Sequence, residues 1–127
     1  MDKNEIKDFE DLEIFKLAKN LANYIYDLTN QFPDDEKFGL TSQIKRAAIS
    51  IFANIAEGHG RFHYKENIQF ARQSRGSMSE VKSFIIFALS RGYISEEEYN
   101  KFMEQYVKLQ IKLNNYINSL RRRINDL

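Results

Sequence analysis

Residues 95–124 read SEEEYNKFMEQYVKLQIKLNNYINSLRRRI. Within this stretch Tyr99, Phe102, Tyr106, Leu109, Leu113, Tyr116, Leu120 and Ile124 recur at steps of three and four. That recurrence gathers the apolar side chains onto one stripe of an α-helix. Ser95 followed by Glu98 forms a capping box, in which each residue satisfies a free backbone N–H of the other. Arg121, Arg122 and Arg123 lie where cations complement the negative pole of a helix dipole. The stretch predicts a long amphipathic helix over about 95–123.

Working back from it, Gly92 is placed to end a third helix over about 64–91. Its inner face reads Ile68, Ala71, Ser74, Met78, Val81, Ile85 and Ala88. A second helix over about 41–57 carries Leu40, Ile44, Ala47, Ile51 and Ile55. Thr41 is its expected N-cap, with Leu40 as a hydrophobic staple, and Gly58 is expected to close it in the left-handed conformation. The first helix, over about 11–31, carries Ile14, Ala18, Leu21, Ile25, Leu28 and Phe32. Pro33 stops it, because proline disfavours helical geometry in the residue before it and donates no hydrogen bond. No run alternates β-branched and polar residues between turns, so strands are not expected. Short connections make neighbouring helices antiparallel. The expected fold is all-α, an up-and-down antiparallel four-helix bundle forming one domain over residues 1–127.

The chain has 127 residues and a formal net charge of +1. That balance hides an asymmetry, with 10 acidic and 4 basic residues before Lys37 but 3 acidic and 9 basic from Lys37 to Arg91. Such a distribution makes a dipolar surface and favours head-to-tail contact between copies. Cysteine is absent, which suits a reducing cytoplasm. The polar first residues lack the apolar stretch of a signal peptide, and no window approaches the roughly 20 apolar residues of a membrane span. A cytoplasmic protein with no membrane contact is expected.

Apolar side chains exceed the needs of one core. Phe84-Ile85-Ile86-Phe87-Ala88-Leu89 is apolar nearly all round its helix, Ile49 and Phe52 lie off the second stripe, and Val107 and Ile111 lie off the fourth. This surplus on three helices predicts self-association.

Catalytic chemistry finds no foothold. His59 and His63 are four apart, but glycines flank His59 and predict a loop there, so no metal site is expected. No Glu-x-x-His pair of a di-iron bundle occurs. Glu57-Gly58-His59-Gly60-Arg61 fits neither a P-loop nor a dinucleotide fingerprint, and no Gly-x-Ser-x-Gly elbow is present, so no catalytic residue and no cofactor is expected. Glu57 stands at a helix C-terminus, against the dipole, with Arg61 and Lys65 as the nearest compensating cations. Gly76, Ser77 and Glu80 interrupt the apolar pattern of the third helix. Small residues there favour close approach by another helix, and Glu80 is a candidate for a register-fixing polar contact.

The run Arg46-Ala47-Ala48-Ile49-Ser50-Ile51-Phe52-Ala53-Asn54-Ile55-Ala56-Glu57-Gly58, then Gly60-Arg61, resembles the signature of the four-helix bundle proteins encoded in intervening sequences of 23S ribosomal RNA genes. Phe70-Ala71-Arg72, Arg75-Gly76-Ser77, Glu80 and Gly92-Tyr93-Ile94 extend that resemblance over nearly the whole chain. It implies a bundle that assembles into a ring, with five copies the best expectation. It marks Asn54, Glu57, Gly58, Gly76, Ser77 and Glu80 as signature or interface positions. The related accessory protein of diversity-generating retroelements implies a basic ring that engages nucleic acid and a reverse transcriptase. The near-neutral total charge departs from that pattern. The resemblance carries over no catalytic residues.

Two readings follow. One is a non-enzymatic oligomeric scaffold that binds RNA, DNA or another protein. Its candidate nucleic-acid contacts are Lys45, Arg46, Arg61, Lys65, Arg72 and Arg75, with Lys82 further along the same segment. The other is a purely structural or protein-interaction bundle with no nucleic-acid role.

Overall fold

The computed structural model describes residues 6–127. Four helices make up the architecture, and no strand occurs among the described residues. They are α1 (Glu13–Thr29), α2 (Leu40–His59), α3 (Tyr64–Ser90) and α4 (Glu96–Asn125). Short 3-10 turns at Phe9–Asp11 and Asp34–Glu36 precede α1 and α2. α1 packs on α2 and α4, and α3 packs on the same two helices, so the four stand at the corners of a square.

Every position of the first three apolar stripes is buried, from Ile14 to Phe32, Leu40 to Ile55 and Ile68 to Ala88. On α4 the buried line is Phe102, Tyr106, Leu109, Leu113, Ile117 and Leu120, while Tyr99, Tyr116 and Ile124 pack at its edges. Fully burying one such Leu or Ile side chain contributes about 1.5–3 kcal/mol. The buried hydroxyl of Ser74 donates to the Ile51 carbonyl at 2.8 Å and ties α3 to α2.

The punctuation differs in part from expectation. Ser95 and Glu98 form the capping box at α4, and Gly92 has φ +74 at the turn before it. The N-cap of α2, however, is Gly39 rather than Thr41. The helix already includes Leu40 and has no side-chain cap. Gly58 does not end α2. It lies inside the helix, which runs through His59 to a C-cap at Gly60 in right-handed geometry. His59 is therefore helical rather than in a loop. α1 is shorter than its stripe, because the chain leaves helical pairing after Thr29 while Phe32 still reaches the core.

Helix lengths are unequal. At about 1.5 Å per residue, the 30 residues of α4 extend about 45 Å, against about 26 Å for the 17 of α1. Three contacts fix their register: Glu13 with Lys112 at 3.8 Å, the Tyr24 hydroxyl donating to the Glu98 carbonyl at 3.1 Å, and Gln31 donating to the Glu98 carboxylate. α1 thus runs antiparallel to α4 and begins opposite Lys112. The last turns of α4 extend past it.

Candidate nucleic-acid interface

Lys65, Arg72, Arg75 and Lys82 are separated by seven, three and seven residues, which puts them on one stripe of α3. That stripe borders the seam with α4. The Arg75 guanidinium donates to the Asn114 side-chain oxygen at 3.1 Å, and the Lys82 ammonium stands 5.5 Å from the centre of the Tyr106 ring. At one end of the seam is a groove of about 490 Å³ lined by Lys65, Ile68, Gln69, Arg72 and Arg121. No carboxylate among the described residues lines it. None of these basic residues takes part in an ion pair among the described residues. Unpaired cations side by side repel one another, and an external anion relieves that repulsion.

Arg121 is the member that sequence reasoning missed. Its position beside two other arginines suggested only a favourable helix terminus. The antiparallel packing of α3 on α4 brings it beside Lys65 and Arg72. An antiparallel helix pair was legible, but its axial register was not.

The other candidate cations lie elsewhere. Lys45 stands 4.9 Å from the centre of the Tyr26 ring on the α1–α2 side, and Arg46 is exposed on α2. Arg61 forms an ion pair with Glu57 and covers the Phe70 ring at 4.8 Å. The charge of Glu57 at the end of α2 is thus offset by Arg61, one helical turn on.

The signature positions divide by role. A Cβ on Gly58 would lie 2.8 Å from the Asn67 side-chain oxygen and 2.9 Å from the Phe70 Cβ. At Gly58, therefore, α2 and α3 approach closely. Gly76, expected at such a contact, has nothing within 4 Å of where a Cβ would be, so it packs against no other helix of its own chain. Asn54 donates to the Ser50 carbonyl one turn back, at 2.8 Å. Ser77 is half-buried, and the Glu80 side chain is exposed without a hydrogen bond or ion pair among the described residues. Glu80 fixes no register within the chain.

His59 ends α2 and His63 occupies the N-cap of α3. Among the described residues no three His, Cys, Asp or Glu side chains are grouped to hold a metal ion. No helix among them is long and apolar enough to cross a membrane.

Fold and seam together define an all-α bundle of four antiparallel helices with a basic α3–α4 face. The family model of the 23S rRNA-intervening sequence proteins matches residues 10–115, and the chain belongs to that family. The fold is similar to the crystal structure of a protein of unknown function from the S23 ribosomal protein family of Bacteroides thetaiotaomicron. The TM-score is 0.75 at 21% sequence identity, over 82% of this chain and 97% of that one. No curated protein matches the chain.

Proposed function

We propose that the protein is a non-enzymatic, self-associating scaffold that holds a nucleic-acid backbone along its α3–α4 face. The observation that carries this reading is the row of Lys65, Arg72, Arg75 and Lys82 on α3, of which Lys65 and Arg72 join Arg121 in lining a groove that holds no carboxylate among the described residues. A phosphate backbone is the polyanion whose repeated charge suits such a row. No aromatic ring among the described residues lines the groove, so contact is with phosphates and tolerant of sequence. Self-association multiplies the row, and avidity strengthens a weak single contact.

The test is fluorescence anisotropy with labelled single-stranded RNA and with single- and double-stranded DNA, at low and moderate salt. Binding is expected at low salt, weakening steeply as salt rises because counterions are released. Arg72→Glu/Arg75→Glu is expected to abolish it, and Arg121→Glu to weaken it. Lys45→Glu, on the α1–α2 side, leaves it nearly unchanged. Absence of binding at low salt, or indifference to the Arg72/Arg75 reversal, overturns the reading.

A second reading is favoured by a separate observation. Ile49, Ile86, Phe87, Val107 and Ile111 are each more than two-fifths exposed. A bundle displaying these side chains also suits a purely protein-binding role, and that reading stands if the titration shows no nucleic-acid contact.

A further inference from the structure

α4 runs past the start of α1, and the described residues leave a cleft at that end of the bundle. It measures about 530 Å³ and lies between the end of α2, the start of α3 and the last turns of α4. Ile6, Leu12 and Leu120 supply apolar wall, and among the described residues no carboxylate lines the cleft. Its volume lies within the range of about 300–1,000 Å³ usual for small-molecule sites.

Its polar groups are arranged by the core. Asn67 is only 8% exposed. Its side-chain oxygen faces Gly58, where a Cβ would intrude at 2.8 Å, so the glycine makes room for it. Its amide nitrogen donates to the Tyr116 hydroxyl at 2.9 Å. Having accepted that bond, the phenol keeps its own proton to donate, and nothing among the described residues accepts it. Burial raises the Tyr116 pKa, so at neutral pH the group is a proton donor. Arg123 lies over the Tyr64 ring, 5.9 Å from its centre, and forms no ion pair among the described residues. Arg61 also reaches the cleft, but its charge is already met by Glu57. Among the described residues the cleft therefore offers Arg123 as a cation without an ion pair, the Tyr116 hydroxyl as an oriented donor and an apolar wall, with His59 and Ser119 also on its lining.

We propose that this cleft binds a small organic anion, a single phosphate or carboxylate head carried on an aromatic or branched apolar body. Arg123 and the Tyr116 hydroxyl hold the head, and Leu12, Leu120 and the Tyr64 ring cover the body. Donors to a charged acceptor are the stronger class of hydrogen bond, and a half-apolar surround strengthens them further. The site is separate from the α3–α4 groove and does not depend on nucleic-acid binding.

The test is isothermal titration calorimetry of the full chain with phenyl phosphate and with benzoate, using inorganic phosphate and phenol as the two halves of the probe. At least one organic anion is expected to bind about tenfold or more tightly than either half, and the better of the two identifies the head group. Arg123→Gln and Tyr116→Phe are each expected to weaken it by about tenfold, the loss typical of a hydrogen bond to a charged group. Arg72→Glu leaves it unchanged, which separates this site from the basic seam. Arg123 is exposed, so its substitution reports on binding even if Tyr116→Phe fails to fold. The proposal is overturned if neither organic anion binds the wild type at millimolar concentration. It is equally overturned if binding survives Arg123→Gln, or falls as much in Arg72→Glu as in Arg123→Gln.

Discussion

At the scale of single residues, two helical glycines of the family signature have opposite energetics. Gly58 meets the Asn67 side-chain oxygen, the Asn67 carbonyl and the Phe70 Cβ within 3.1 Å of a would-be Cβ. Gly58→Ala must push α3 away, and overpacking of this kind costs about 1–3 kcal/mol. Gly76 faces open space, so Gly76→Ala is expected to stabilise the folded chain by about 1 kcal/mol through helix propensity. Urea unfolding of both variants checks the pair. A stabilising Gly58→Ala would contradict the close approach, and a destabilising Gly76→Ala would place Gly76 against another copy. The sequence marked Gly76 as the glycine needing a packing reason and read Gly58 only as the end of its helix. Which one another helix touches depends on how the helices are rotated about their axes, and no local pattern encodes that.

At the scale of elements, the helix ends and edges bear the ionisable groups that respond to pH. The Gln31 amide and the Ser95 backbone N–H hold the Glu98 carboxyl below its usual value. A carboxyl depressed in the folded state stabilises the fold above its unfolded pKa, and that gain disappears as pH falls through the folded value. Wild type is therefore expected to lose urea resistance below about pH 4.3, the ordinary Glu pKa. Glu98→Gln, which cannot ionise, has a shallower dependence over that window. At the alkaline side, burial raises the pKa of Tyr24, Tyr106 and Tyr116. Their phenols ionise more readily in the unfolded chain, so stability is expected to decline as pH rises past about 10, the free tyrosine value. Tyr106→Phe and Tyr116→Phe reduce that decline. An unfolding midpoint constant from neutral to strongly alkaline pH would contradict it.

Over the whole molecule, the net charge of +1 conceals a division along the bundle axis. One end gathers Asp34, Asp35 and Glu36 with Glu96, Glu97 and Glu98, held together by the Tyr93 hydroxyl donating to Glu36 and by Gln31 donating to Glu98. The central stretches of α1 and α2, residues 14–26 and 41–56, carry lysine and arginine and no carboxylate. The apolar surface is divided as well. Tyr26, Ile49 and Phe52 line a groove between α1 and α2, whereas Ile86 and Phe87 are exposed on α3. Unlike patches on different helices suit a heterologous contact, which closes into a ring when the rotation permits. Light scattering coupled to gel filtration is therefore expected to give several times the 15.1 kDa of one chain, five copies being the number that the family resemblance implies. Ile49→Ser and Phe87→Ser are each expected to shift the population toward monomer. A strictly monomeric wild type at micromolar concentration removes the self-association reading.

The four stripes, the antiparallel order, the capping box at Ser95 and the turn at Gly92 were legible in the sequence. Each is written in residues three or four apart, or in a single cap, and local backbone geometry reads such signals directly. The tertiary structure alone decided which glycine another helix touches, that Arg121 joins Lys65 and Arg72, and that Asn67 orients Tyr116 in the lining of the cleft. These features depend on the axial register and rotation of whole helices. Register and rotation are set by the summed packing of the core, with no short motif of their own.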